Sequence, residues 1–197
     1  MFINEEQAEL IHERMELFGG LRLFHPNKAY DIIRDKIDEY ISIPEYKKQI
    51  TCGSVKNCSM CCHDTIPMGL VEGEIMKKYV ITNNISYNKE RVLLQNTGDN
   101  LKWEDRACPL LSDINEQGER LCTIYENRPL ICRTHNSSSD PAICRRDTNE
   151  TTIEVMITEA MALSFIAYDL KSNRKEGEAP ELTNMHTILK QIEDGKS

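Results

Sequence analysis

Phosphate-cradling glycine loops are missing from this chain. None of its nine glycines forms a GxxxxGK[ST] or GxGxxG loop or a GxSxG elbow, and there is no HExxH pair. P-loop nucleotide chemistry, the serine-hydrolase elbow and the HExxH metalloprotease site are thereby set aside, and a classical Rossmann-type methyltransferase is weakened. Long apolar runs are absent too. The best stretch, Val155 to Leu170, is interrupted by Glu159 and Asp169, so no membrane span is expected. Positive charge is scarce: Lys and Arg number 24 against 32 Asp and Glu, for a formal net charge of −8. General DNA or other nucleic-acid binding needs a cationic face that displaces counterions, and none is expected here. The opening Met1-Phe2-Ile3-Asn4-Glu5-Glu6 has neither the basic start nor the apolar run of a secretory signal. The expected setting is the reducing cytoplasm, where a disulfide framework does not persist. No internal repeat or low-complexity tract is seen. At 197 residues the chain is expected to form a single domain, 1–197, large enough to bury a core without a metal staple.

Cysteine is also absent from most of the chain, yet eight are present. They are Cys52, Cys58, Cys61, Cys62, Cys108, Cys122, Cys132 and Cys144, and none lies before 52 or after 144. Cysteines used as small packing hydrophobes would not gather this way. The tightest run is Cys58-Ser59-Met60-Cys61-Cys62-His63. A CxxC step lets two thiolates of one turn reach one metal. The adjacent Cys61 and Cys62 point in different directions. They suit a polynuclear cluster, two neighbouring sites, or one ligand beside one non-ligand. Soft thiolates select both zinc and iron–sulfur clusters.

The apolar pattern is mostly helical. Ala8, Ile11, Met15 and Phe18 recur at helical spacing over 4–18, capped by Asn4 and stopped by Gly19-Gly20. A second helix is expected over 29–41 on Ile32, Ile33, Ile37, Tyr40 and Ile41, ended by Pro44. Others are expected over 72–81, 89–95 and 151–170, the last the longest, and over 183–192. Residues 51–68 read as the first metal loop and 171–181 as a solvated linker. Cys108-Pro109-Leu110-Leu111 and Leu121-Cys122-Thr123-Ile124-Tyr125 flank the turn at Asn115-Glu116-Gln117-Gly118. That reads as a β-hairpin over 103–125 with Cys108 and Cys122 as cross-strand neighbours. A short helix over 126–133, with Pro129 in its first turn, would deliver Cys132. The expected fold class is mainly α with a short β-hairpin: helices wrapped around a cysteine-rich core at 52–145, flanked by N-terminal helices (1–50) and C-terminal helices (146–197).

The ordered set Cys58-Ser-Met-Cys61-Cys62, Cys108-Pro109-Leu110-Leu111 and Cys122-Thr-Ile124-Tyr125-Glu126-Asn-Arg128-Pro129-Leu-Ile-Cys132-Arg133 resembles the YkgJ-like cysteine-cluster family, of CxxCxxCC type. That family is described as a zinc- or iron-chelating domain. The likeness covers roughly 52–145 and includes several non-cysteine positions in order. Cys52 stands further from Cys58 than is common in the family, which weakens its case as a ligand. The resemblance implies a metal site rather than a particular reaction. A distant similarity to flagellin lysine N-methylase, a larger protein described as depending on an iron–sulfur cluster here, brings in methyl transfer by analogy alone.

Within this set the ligand candidates are Cys61 or Cys62, Cys108, Cys122 and Cys132, with Cys58 close behind. Two zincs with four thiolates each, or one [4Fe–4S] cluster with spare cysteines, are chemically reasonable. The adjacent pair and the number of cysteines favour [4Fe–4S], with zinc as the alternative. Arg128 and Arg133 bracket Cys132. They read either as surface or helix-end charges partnering Glu126, or as cofactor-binding groups that offset an anionic cluster or grip a substrate carboxylate or phosphate. With Arg145 and Arg146 they form a local basic island. His63 and His135 each neighbour a cysteine and could replace a thiolate or act as hydrogen-bonding supports. Tyr125 is expected under the hairpin. Trp103, the only tryptophan, is expected in the core or as a cover over the cluster. Two functional classes follow. One is a cytoplasmic metal-cluster protein, iron–sulfur in type, that modifies a protein or RNA substrate. The other is a structural zinc module serving as a regulatory protein–protein interaction factor, phage-encoded if the Asn-, Ile- and Lys-rich composition reflects such a genome.

Overall fold

In a computed structural model of the chain, the residues described are 9, 12, 13, 25–51, 59–98, 101–113, 115, 116, 120–140, 143, 156, 158–171 and 178–195. The described chain is mainly helical, as the periodicity requires. Its α-helices are α1 Pro26–Ile41, α2 Pro44–Lys47, α3 Leu70–Thr82, α4 Lys89–Thr97, α5 Leu130–Thr134, α6 Glu159–Ala167 and α7 Met185–Glu193. Two strands, β1 Pro67–Gly69 and β2 Leu182–Asn184, and three single-turn 3-10 helices, Met60–His63, Glu104–Arg106 and Tyr125–Asn127, complete them. The helix expected over 4–18 lies outside the described residues except at Glu9, His12 and Glu13, all helical.

Proline opens α1, where a missing N–H is harmless. Its Tyr30, Ile33 and Ile37 recur every three or four residues and, with Ala29 beside them, are all buried. Pro44 does not simply end this region. It starts α2, again from the first turn. The expected long helix over 151–170 begins late. The Met156 amide donates to the Asn136 carbonyl at 2.9 Å, outside any helix, and the Thr158 hydroxyl then caps α6 by accepting from the Met161 amide at 3.4 Å. Residues 151–155 and 157 lie outside the described set.

Two apolar clusters hold these helices. In the first, Ala29, Tyr30, Ile33 and Ile37 of α1 meet Ala160, Leu163, Ile166 and Ala167 of α6, with Val71 of α3 and Leu130 of α5. In the second, Met76 and Val80 of α3 meet Val92 of α4, Met185, Ile188 and Leu189 of α7, and Leu110 and Ile124. Helix α3 contributes to both.

The sheet is a single antiparallel pair, Pro67 opposite Asn184, Met68 opposite Thr183 and Gly69 opposite Leu182. Each strand runs directly into a helix, β1 into α3 and β2 into α7, so the pairing sets those helices side by side. Glycine is required at 69: a Cβ there would stand 2.5 Å from the Ala167 carbonyl oxygen and 2.8 Å from the Tyr168 Cα. Among the described residues, the expected hairpin is shorter than its sequence pattern. Leu111 and Cys122 form one isolated antiparallel bridge, flanked by Ser112 N to Leu121 O and Thr123 N to Leu110 O, each 2.9 Å. The neighbour of Cys122 is therefore Leu111, not Cys108. Pro109 closes a tight turn in which the Leu111 amide donates back to the Cys108 carbonyl at 3.0 Å, and this carries Cys108 off the strand.

Candidate metal centre

Four short stretches carry the five described cysteines within electrostatic reach of one another. Cys61 and Cys62 sit on the 3-10 turn Met60–His63, fixed by Cys62 N to Ser59 O at 3.0 Å and Asp64 N to Cys61 O at 3.2 Å. The Cys108 amide donates to the Cys62 carbonyl at 2.7 Å, which binds the second segment to the first. The bridge to Leu111 places Cys122. The short helix expected over 126–133 is instead two pieces, the 3-10 turn Tyr125–Asn127 and α5, because Pro129 drives Arg128 before it into an extended conformation and itself takes the N-cap position of α5. Helix α5 presents Cys132 from a segment whose Leu130, Ile131 and Thr134 are buried. Cys58, Cys52 and Cys144 lie outside the described residues.

The five thiols form one electrostatic neighbourhood. A negative charge on Cys61 disfavours ionisation of Cys62, Cys108, Cys122 and Cys132. Burial pushes Cys108 up to about 11 and raises Cys122 and Cys132. Cys62 is raised first by its hydrogen bond to Cys61 and then by burial, and the same hydrogen bond lowers Cys61. Among the described residues, no three His, Cys, Asp or Glu side chains already form a metal-holding group. The donors are nonetheless of the right kind. Several half-buried thiols that cannot afford negative charge by themselves become good thiolates once a cation compensates them.

The two bracketing arginines face different ways. Arg128 lowers both Cys61 and Cys122 through its charge. Its guanidinium lies 4.0 Å from the centroid of the Tyr125 ring and donates to the Tyr125 carbonyl at 3.2 Å. Tyr125 is 58% exposed rather than packed under the hairpin, because the 3-10 turn rotates it outward. Arg133 is engaged elsewhere: Nη1 meets Asp38 Oδ1 at 2.7 Å, Nε donates to the Arg128 carbonyl at 3.1 Å, and Nη2 donates to the Glu126 carbonyl. Arg145 and Arg146 lie outside the described residues. His63 is buried and stacks on Trp103 with ring centroids 3.7 Å apart, while its Nδ1 stands 3.2 Å from the Ser59 carbonyl. The lone tryptophan therefore walls the residue next to Cys62. Burial lowers His135, against the opposing charge of Asp64.

Two features gave little sequence signal. Glu72 of α3 is fully buried. Its Oε1 accepts from the Leu130 amide at 2.7 Å and the Tyr30 hydroxyl at 3.2 Å, which ties α3 to the start of the Cys132 helix. The only hint was a carboxylate set among Leu70, Val71, Ile75 and Met76. The second is a cavity of about 590 Å³ whose wall includes Cys108, Asp64, Gln95, Arg106 and His186, residues too far apart in sequence to form a motif.

No helix among the described residues is long and apolar enough to cross a membrane. No curated protein and no solved structure matches the chain, so the distant likeness to flagellin lysine N-methylase gains no support. A family model does match, over residues 51–159, and those residues carry all the cysteines just placed. The match spans more than half of the chain, which therefore belongs to the CxxCxxCC family, described as a zinc- or iron-chelating domain, and is a metal-binding protein of that family.

Proposed function

We propose that the cysteines hold a [4Fe–4S] cluster, with ligands drawn from Cys58, Cys61, Cys62, Cys108, Cys122 and Cys132, and that this cytoplasmic protein uses the centre to modify a protein or RNA substrate. One observation carries the reading: Cys108 belongs at once to the thiol neighbourhood and to the wall of a cavity large enough for a small molecule. A purely structural zinc site is closed by its four ligands and needs no such neighbour. When bound, an iron–sulfur cluster supplies a redox-active centre whose potential depends on nearby charge and hydrogen bonds. The chain's own residues then have separable tasks. Arg128 offsets thiolate charge at Cys61 and Cys122. His63 and Trp103 form a flat wall beside Cys62 and limit water. Arg133, held by Asp38, braces the Cys132 segment against α1.

The test is anaerobic purification with a visible absorption spectrum and elemental analysis. A broad visible band with about four irons and four sulfides per chain is expected. A colourless protein holding zinc and no sulfide would overturn the cluster reading and leave the structural interaction module in its place.

A further inference from the structure

The cavity beside Cys108 has the chemistry of an anion site. Its volume, about 590 Å³, falls within the roughly 300–1,000 Å³ typical of small-molecule pockets. Arg106 lines it, and the Arg106 Nε is shut from solvent without a hydrogen-bond partner. A guanidinium keeps its charge at every working pH, so one in a cavity wall attracts an anion; with the Nε closed off, the outer nitrogens of this half-buried residue are the ones that meet it. Its backbone is pinned from both sides. Gln95 Nε2 donates to the Asp105 carbonyl at 3.2 Å and the Ala107 carbonyl at 2.7 Å, and the Arg106 amide donates to the Trp103 carbonyl at 3.2 Å. His186 lines the same space, with its carbonyl held by Asn96 Nδ2 at 3.0 Å. Burial lowers His186, so its imidazole is neutral at neutral pH and can donate one hydrogen bond. Asp64 is the one carboxylate among the lining residues. It repels an anionic head and so gives the cavity a polarity, with the head directed to Arg106.

We propose that this cavity binds a small carboxylate- or phosphate-bearing molecule, its anionic head gripped by Arg106 and His186 and its body lying against Cys108. The siting of the ligand beside a metal centre rests on the function proposed above; the anion site itself does not.

Isothermal titration calorimetry on the protein as purified, with its metal, tests this at constant ionic strength. The probes are inorganic phosphate for a phosphate head and succinate for a carboxylate head. At least one should bind saturably at one site per chain, and the tighter of the two identifies the head group. Arg106→Gln should weaken that binding by about tenfold or more, the loss expected for a charge-assisted hydrogen bond. Arg34→Gln, which removes a guanidinium paired with Asp31 and Asp35 on exposed α1, should leave it unchanged. Should Arg106→Gln fail to fold by circular dichroism, His186→Gln replaces it and must also weaken binding. Absence of saturable binding by both probes, or equal binding by wild type and variant, overturns the proposal. Metal content is measured in parallel. Anion binding by a protein that carries no metal would sink the metal function while leaving the anion site standing.

Discussion

Replacing Glu72 with glutamine should change how stability depends on pH. The carboxyl is fully buried in α3, its Oε1 holds the Leu130 amide and the Tyr30 hydroxyl, and its Oε2 has no partner. Burial pushes its pKa from 4.5 up to about 7, against the pull of the Leu130 and Tyr30 hydrogen bonds and the Arg133 charge. The unfolded chain releases this proton near 4.5, whereas the native protein keeps it to about 7. Between those values the native state binds more protons than the unfolded one, so stability falls as pH rises. The contribution is fully present below the unfolded pKa and is lost as pH rises through the native one. At about 1.4 kcal/mol per pH unit, the whole difference is about 3 kcal/mol.

Glu72→Gln preserves the shape and an oxygen for the Leu130 amide, but it cannot ionise. Any cost of burying its NH₂ group is the same at every pH. The stability of the variant relative to wild type should therefore rise from pH 5 to pH 8 by about 2–3 kcal/mol, the part of that difference lying above pH 5. Urea unfolding of both proteins at several pH values in this range, at matched metal content, measures it. Taking the difference removes the titration of the cysteines, which both proteins share. A difference that does not vary with pH would show that Glu72 is ionised normally and that the buried carboxyl has been misread.

Three further outcomes follow from the packing and the thiols. Gly69→Ala should destabilise by about 1–3 kcal/mol, since its Cβ meets Ala167 and Tyr168 backbone that no rotamer change can move; an unchanged melting temperature would refute the close contact of β1 with the end of α6. Cys132→Ala should lose metal and stability, whereas Cys52→Ala should do so less; equal metal content by elemental analysis in both variants and wild type would remove Cys132 from the ligand set. Arg128→Gln should weaken metal retention against a competing chelator by about tenfold, the usual effect of removing a group that supports the ligands, and retention equal to wild type would make Arg128 a surface charge.

The helices were the legible part of the sequence. Ile33 and Ile37 repeat at helical spacing and are buried where that spacing puts them. The helices expected over 89–95 and 183–192 are present as α4 and α7, the latter starting two residues later, and the side-chain oxygens of Asn88 and Asn184 cap them by accepting an amide of the helix at 2.9 Å. The cysteine spacing also carried its message, because a metal site is encoded by donors whose order survives folding. The β1–β2 pair could not be read. Pro67-Met-Gly69 and Leu182-Thr-Asn184 are too short to show alternation, and their pairing is fixed by what α3 and α7 bury together. Residues 103–125 show the opposite failure. Two β-rich runs around a turn predicted a hairpin, but Pro109 drew the start of the first run into a turn and left a single bridge among the described residues. Glu72 was hidden for a third reason: a glutamate in a helix reads as a solvated face, and only the approach of Tyr30 and Leu130 makes burial affordable.

The division between frame and site explains why the centre can be chemically available. Both apolar clusters are built mainly from helices, with Met68, Leu110 and Ile124 added to the second, and neither holds a described cysteine among its buried members; Cys108 and Cys122 touch the second only from its edge. The cysteines ride instead on a four-residue 3-10 turn, a lone bridge and a five-residue helix, pieces too short to be stable in isolation. What holds them is a small set of directed bonds to the frame: Glu72 to the Leu130 amide, Arg133 to Asp38, Arg91 Nη1 to the Leu111 carbonyl at 2.8 Å, and the Asn88 amide to the Pro109 carbonyl at 2.9 Å. Apolar burial thus holds the frame together without help from the cysteines, in contrast to a zinc finger, whose fold depends on metal binding. On the function proposed above, a metal centre relieved of that task keeps Cys108 beside a cavity, where a substrate would reach it.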